Sequence, residues 1–233
     1  MLGLMLVVFF ACKLPPDSDP PPPPPGGVRI DVTGYPANFF NGRTCNYAIY
    51  KFGGDLSTAA DRVADGTISL SSGSGISAVE NLEAGQYDLY VAIDVDSDGY
   101  TFRGGHPYPS DGDLHGFETN VTVNNTVIDR YLTLKAVTGT ITWSPASSGT
   151  LYVDIFRDNT FPRGIEYSGI SSATSATYCI DVTDLSGSYY LLGTLDSMIG
   201  WYAGADGSAG PPPPPPVDLD DLNNIEDSYD FGL

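Results

Sequence analysis

A repeated pattern of alternating residues constrains the fold of this chain more than any other feature of its sequence. Residues 43–51 read RTCNYAIYK and residues 149–157 read GTLYVDIFR, with threonine, isoleucine, an aromatic and a basic residue in the same columns. Further along, GQYDLYVAID at 85–94 matches GSYYLLGTLD at 187–196. Inward and outward positions alternate along these segments, as half-buried strands require. The chain therefore contains two copies of one β-rich unit.

The composition agrees with an all-β fold. Glycine (27) and proline (19) are abundant, and 24 of the 29 acidic residues are aspartate, which favours turns, rather than glutamate, which favours helices. We expect two tandem Greek-key β-sandwich domains, the first at 28–136 with a calcium loop and the second at 137–233. The predicted strands are 28–33, 44–52, 67–71, 76–80, 86–94, 118–123 and 127–134 in the first domain, and 138–143, 150–157, 176–182 and 188–195 in the second.

Two further segments are assigned on weaker patterns. DLSTAADRVADG at 55–66 is predicted to be a short helix with Asp55 as its N-cap. VDLDDL at 217–222 is predicted to be the last strand of the second domain, as the counterpart of TVIDRYLTL at 126–134. The stiff proline run at 211–216 precedes it, so this strand pairs either within its own chain or with a neighbouring molecule. A solvated acidic tail is the alternative.

The N-terminal residues have the organisation of an export signal followed by a stalk. Residues 1–12 contain an apolar run that is too short to span a bilayer and suits a signal peptide. Cys12 follows Ala11 and resembles the lipidated cysteine of a bacterial lipoprotein, although Phe10 stands where a small residue is usual and no basic residue precedes the apolar run. Residues 13–27 are a proline-rich linker, for which a stalk and a disordered leader are the two alternatives. These features predict export, with lipidation at Cys12 and an outer-membrane or cell-surface location; ordinary signal cleavage is the alternative.

Charge and motifs argue against several functions. The formal net charge of −19 repels phosphate backbones, so we expect no nucleic-acid partner. SSGSG at 71–75 does not satisfy the Gly-x-Ser-x-Gly nucleophile motif, and no other context selects a catalytic serine, so we expect no enzymatic activity. A carboxylate pair for glycoside hydrolysis stays open, because sequence does not give the separation of two acids. Cys45 and Cys179 lie in different predicted domains and face differently, so we expect no disulfide between them.

The stretch DVDSDGY at 94–100 predicts a calcium site in the first domain. Its aspartates occupy the first, third and fifth positions of a calcium loop, and Gly99 at the sixth permits the turn that brings their carboxylates together. Gly105 at the twelfth position and the preceding strand exclude an EF-hand, so another acid must come from the segment PSDGDLHGFE. The predicted ligands are Asp94, Asp96, Asp98, the Tyr100 carbonyl and Asp113, around one Ca²⁺ ion. A solvent-exposed acidic turn is the alternative.

The second copy acts as an internal control for this site. Met198 and Gly200 replace Asp96 and Asp98, so we expect one calcium ion per chain. The two histidines, His106 and His115, flank the same loop. With Asp111 or Asp113 they offer an alternative site for a transition metal.

The glycine, aromatic, apolar strand and Asp-x-Asp-x-Asp-Gly run at 85–99 resembles the carboxypeptidase-regulatory or transthyretin-like (Ig-like) β-sandwich modules of exported bacterial proteins. Such modules occur in tandem behind lipoprotein signals, and the resemblance implies a non-catalytic role at the cell surface. We therefore expect a calcium-stabilised extracellular structural protein. Two arrangements stay open: filaments assembled by strand exchange from 217–222 or from GGVRIDVTG at 26–34, or strands that pair within their own chain with the prolines as spacers. The alternative is an adhesin-like module that binds carbohydrate or protein through Tyr100, Phe102, Tyr108, Trp201 and Tyr202.

Overall fold

A computed structural model of the chain describes residues 26–54, 60–95, 113–157, 160–195, 198–201, 216–222, 225 and 229–233. Most of these residues belong to strands, and helix is confined to α1 (Ala37–Phe40). Among the described residues, no helix has the length and apolar character needed to cross a membrane. The all-β, β-sandwich prediction is confirmed. The strands are β1 (Gly26–Tyr35), β2 (Thr44–Lys51), β3 (Arg62–Ser69), β4 (Ser74–Leu82), β5 (Gly85–Ile93), β6 (Leu114–Val123), β7 (Val127–Arg157), β8 (Thr160–Asp181), β9 (Ser188–Leu195), β10 (Met198–Trp201), β11 (Val217–Asp218) and β12 (Phe231–Gly232).

Two facing sheets enclose the first hydrophobic core. One is antiparallel with the order β3-β2-β5-β6. In the other, β1 pairs antiparallel with β4 and parallel with residues 127–135 of β7. Alternate residues of each strand point between the sheets, and Ile30, Ile49, Leu89 and Leu134 are almost fully buried there. This arrangement follows from the period-two pattern, because each strand has one apolar face to bury.

Strand β7 runs through both halves of the chain. Residues 127–135 pair with β1, residues 136–142 pair with β8, and residues 151–155 pair with both β8 and β9. The register shifts three times between Thr142 and Leu151, where Pro145 has no N–H to donate to a ladder. The three strands predicted at 127–134, 138–143 and 150–157 are therefore parts of one bent strand. The predicted domain boundary at 136/137 falls inside it, and the division into domains stays a prediction.

A second hydrophobic core forms between residues 137–155 of β7 and strands β8 and β9. Ile141, Leu151, Ile155 and Leu191 are fully buried in it. Strand β10 forms a hairpin with β9, and β11 pairs antiparallel with β9 on residues 188–189. Strand β12 pairs in parallel with Ile141 and Thr142 of β7.

The predicted helix at 55–66 is wrong where the structure describes it. Residues 62–69 form β3, which pairs antiparallel with β2, and residues 55–59 lie outside the described part. Ile68 is 1% exposed and packs into the first core. Burial of this side chain and a full ladder with β2 outweigh the local helix signals, because helix propensities differ by only a few tenths of a kcal/mol per residue.

Candidate functional site

The C-terminal segment, residues 216–233, completes the second core. Val217 and Leu219 are each 1% exposed, and Ile225 and Tyr229 are each 5% exposed. All four side chains pack in the second core, yet the regular strands of this segment, β11 and β12, are only two residues long. The segment therefore buries four apolar side chains although its regular strands make few ladder hydrogen bonds.

Backbone hydrogen bonds attach residues 229–233 along β7. The N–H of Tyr229 donates to the carbonyl of Thr138 at 2.7 Å, and the N–H of Leu233 donates to the carbonyl of Thr142 at 2.8 Å. The N–H of Thr140 donates to Oδ1 of Asp230 at 2.7 Å. These bonds extend the parallel pairing of β12 to both sides.

A tyrosine hydroxyl and a glycine both contribute to this attachment. The hydroxyl of Tyr178 donates to the carbonyl of Tyr229 at 2.7 Å. Gly139 makes the close approach of the two backbones feasible, because a Cβ atom there would overlap the carbonyl oxygen of Tyr229. We call the site on β7 that residues 229–233 occupy the seat. It fits a strand whose backbone passes directly over Gly139.

The sequence pattern predicts the wrong part of this segment as the last strand of the second unit. VDLDDL at 217–222 yields only β11, paired with β9 of its own chain. The counterpart of residues 126–134 is YDFGL at 229–233, because both run parallel to the first strand of their unit. Alternation of Tyr229, Phe231 and Leu233 was the available signal, but five residues are too few to distinguish it from a tail.

The structure places two of the predicted calcium ligands beside each other. Asp94 directly follows β5, and Asp113 directly precedes β6, where Ile93 pairs with Leu114. Asp113 is 3% exposed, and its Oδ1 accepts the N–H of Val95 at 3.0 Å. Asp113 therefore folds back to the beginning of the aspartate loop.

The remaining predicted ligands, Asp96, Asp98 and Tyr100, lie outside the described residues, as does Cys12. In the part of the chain that the structure describes, no three His, Cys, Asp or Glu side chains gather closely enough to hold a metal ion. Met198 of the second copy belongs to β10 and pairs with Leu195. In the second copy, strand β10 thus follows β9 at the position where the first copy has residues 94–113.

His115 contacts the second half of the chain. Its Nδ1 lies against Oδ2 of Asp181, and its backbone N–H donates to the same oxygen at 3.0 Å. This contact engages only Nδ1, so the transition-metal alternative stays a prediction. His106 lies outside the described residues.

The two described cysteines are free thiols. The expectation that they face differently is wrong, because both side chains pack in the first core. Burial raises the pKa of Cys45 and of Cys179 to about 12 in each case. Cys179 belongs to β8, but its side chain packs into the first core, whereas its neighbours Tyr178 and Ile180 pack into the second. Neither thiol has the lowered pKa of a reactive cysteine.

The aromatic residues predicted for the binding alternative are not placed by the structure. Tyr100, Phe102, Tyr108 and Tyr202 lie outside the described residues, and of Trp201 only the backbone, at the end of β10, is described.

No protein-family model matches the chain, and no curated protein matches it. Among solved structures, it is similar to the truncated tip fimbrial protein Mfa3 of Porphyromonas gingivalis, with 9% identity over 90% of this chain and 94% of that one and a TM-score of 0.36. The fimbrial anchor protein Mfa2 of the same organism shows 12% identity over 90% of each chain and a TM-score of 0.40. A fimbrial assembly protein of Parabacteroides distasonis shows 9% identity over 89% of this chain and 90% of that one and a TM-score of 0.38. Likeness at these scores identifies neither a family nor a function for this chain.

Proposed function

We propose that this chain is an exported, non-enzymatic structural protein that assembles into an extracellular filament by exchanging its C-terminal segment between copies. One observation carries the proposal. The segment that completes the second core follows a run of six prolines and is attached by two strands of two residues each. It is therefore a separable piece that the second core needs.

The receiving site for an exchanged segment is already defined by the fold. The seat that residues 229–233 occupy on β7, with the close approach at Gly139, fits the same segment from a second copy equally well. Six consecutive prolines at 211–216 precede the segment, and a proline run of this length is typical of a stiff spacer. A head-to-tail exchange of this kind forms filaments unless a rotation closes a ring.

A disulfide that links β12 to β7 of the same chain tests the proposal. A Cβ atom on Gly232 would lie 3.6 Å from Oγ1 of Thr142, so Thr142→Cys with Gly232→Cys places two thiols within reach of each other. The native thiols Cys45 and Cys179 are buried and do not compete. We expect the oxidised variant to stay monomeric and the reduced variant to form filaments, as judged by electron microscopy and light scattering.

The first copy offers a matched control for this lock. Thr33 and Thr133 are partners in the parallel ladder between β1 and β7, which is the counterpart of the ladder between β12 and β7. Thr33→Cys with Thr133→Cys should leave assembly unchanged in either redox state. Two results would refute exchange of the C-terminal segment. One is filaments of undiminished length from the oxidised Thr142→Cys/Gly232→Cys protein, and the other is wild-type protein that stays monomeric at every concentration and salt condition.

Two further features belong to the same proposal. We propose that Asp94, Asp96, Asp98, the Tyr100 carbonyl and Asp113 bind one calcium ion at the end of the first unit; support comes from the buried Asp113, which returns to Val95. We also propose that Cys12 carries the lipid that anchors the chain to the outer membrane. Mass spectrometry of the native N-terminal peptide tests the lipid, and an unmodified peptide that begins at another residue would exclude it.

A further inference from the structure

A buried lysine lies where the two cores meet. Lys135 of β7 is 8% exposed, between Leu134 of the first core and Ala136, which is also fully buried. Lysine is almost never buried to this extent unless its ammonium group has partners. The position therefore requires a specific set of acceptors.

The acceptors of Lys135 come from two places that are distant in sequence. Its Nζ donates to the carbonyl of Leu185, in the turn before β9, and to the carbonyl of Leu219, in the C-terminal segment, at 3.4 Å. The N–H of Leu219 in turn donates to the carbonyl of Gly187 at 3.0 Å. The ammonium group thus bridges the body of the second unit and the segment that completes it.

The backbone of Lys135 is fixed independently of its side chain. Its N–H donates to Oγ1 of Thr183 at 3.0 Å, and its carbonyl accepts the N–H of Val182 at 3.0 Å. A substitution that removes only the ammonium group therefore leaves the strand in place. Burial lowers the pKa of Lys135, while Asp220, Asp184 and Asp181 raise it, and the strongest of these three, Asp220, also belongs to the C-terminal segment.

We propose that the ammonium group of Lys135 is a latch that holds residues 216–222 on their own chain and so limits the release of the C-terminal segment. The segment supplies both a carbonyl acceptor and a nearby carboxylate, and its departure breaks the hydrogen bond and the charge interaction. A hydrogen bond from a charged donor is stronger than a neutral one, so its loss opposes release. The consequence for assembly rests on the proposed function, since release is the first step of exchange.

Hydrogen exchange of the monomer tests the latch without any need for filaments. Lys135→Met retains the volume of the buried stem and removes the charge. We expect the amide of Leu219 and its neighbours at 217–218 to exchange about tenfold faster or more in this variant, since hydrogen bonds to charged groups are the stronger ones. Lys51→Met is the matched control, because Lys51 is an exposed lysine of β2 and should leave these amides unchanged.

Amides of β1 and β5 report whether the variant is folded, because both strands belong to the first core. If Lys135→Met unfolds, Asp220→Asn takes its place: Asp220 is exposed, and loss of its charge should accelerate exchange at Leu219 by about twofold. Unchanged exchange at 217–219 in a folded Lys135→Met protein would overturn the latch.

The latch and the proposed function fail in distinguishable ways. Faster exchange at 217–219 together with faster filament growth supports both. Faster exchange in a protein that never forms filaments supports the latch and counts against the proposed function. If oxidation of the Thr142→Cys/Gly232→Cys protein blocks filaments while Lys135→Met changes neither readout, the exchange of the segment is supported and the latch is overturned.

Discussion

The two copies of the repeated unit are closed by parallel ladders of very different length. In the first copy, nine residues of β7 (127–135) pair in parallel with β1. In the second copy, β12 pairs in parallel with only two residues of β7, Ile141 and Thr142. The closing strand of the first copy continues directly into the second, whereas that of the second arrives after the proline run at 211–216. One architecture thus contains a long closing ladder and a short one.

Removal of the closing segment should have the largest effect, and only on the second copy. Deletion of residues 211–233 removes four buried side chains from the second core, worth roughly 6 kcal/mol or more at ~1.5–3 kcal/mol each. We expect the second core to unfold at ambient temperature while the first retains a cooperative transition. Differential scanning calorimetry with hydrogen exchange on β1 and β9 separates the two. Retention of full protection in β9 would mean that the segment is not part of the second core.

A matched pair of core truncations compares the two closures directly. Ile30 of β1 and Ile141 of β7 are both fully buried and lie beside the closing strand of their copy. Ile30→Ala and Ile141→Ala should each lower stability by about 2–5 kcal/mol. Only Ile141→Ala should also accelerate amide exchange at 229–233. Equal acceleration there by both variants would show that the two cores unfold as one.

Calcium should affect the first copy alone. If the ligands at 94–100 and Asp113 bind the ion, calcium at 100 times its dissociation constant should stabilise the first core by about 2.7 kcal/mol. Asp96→Asn with Asp98→Asn should abolish this gain, and Met198→Ala in the second copy is the control that should not. Titration calorimetry measures binding. Absence of any heat at millimolar calcium would leave the aspartate loop as a turn.

The smallest expected effect concerns one column of the repeat. Asp154 of the second copy occupies the column of Ala48 in the first. Burial raises the pKa of Asp154 above 3.8, so the folded state favours its protonated form and stability falls as pH rises through that raised pKa. Asp154→Ala should therefore stabilise the second core at pH 7 and lose this advantage below pH ~3.8. Thermal melts at both pH values measure the difference, and an equal shift at each would exclude ionisation as its cause.

The sequence by itself determined the features that depend on local period and local composition. Alternation placed the strands at 44–52, 86–94 and 188–195 close to the observed bounds of β2, β5 and β9, and it placed the end of β7 at residue 157. It also predicted that Cys45 faces the first core. These signals are local because successive side chains of a strand point to opposite faces whichever strand is its partner.

The tertiary structure alone decided which segments pair and how far each strand extends. Three predicted strands merge into β7, residues 62–69 form a strand rather than a helix, and YDFGL rather than VDLDDL takes the place of the closing strand. Buried Lys135 and the contact of His115 with Asp181 join residues 50 or more positions apart. No local pattern encodes such partners, because ladder pairing and burial of charge depend on which distant groups the fold brings together.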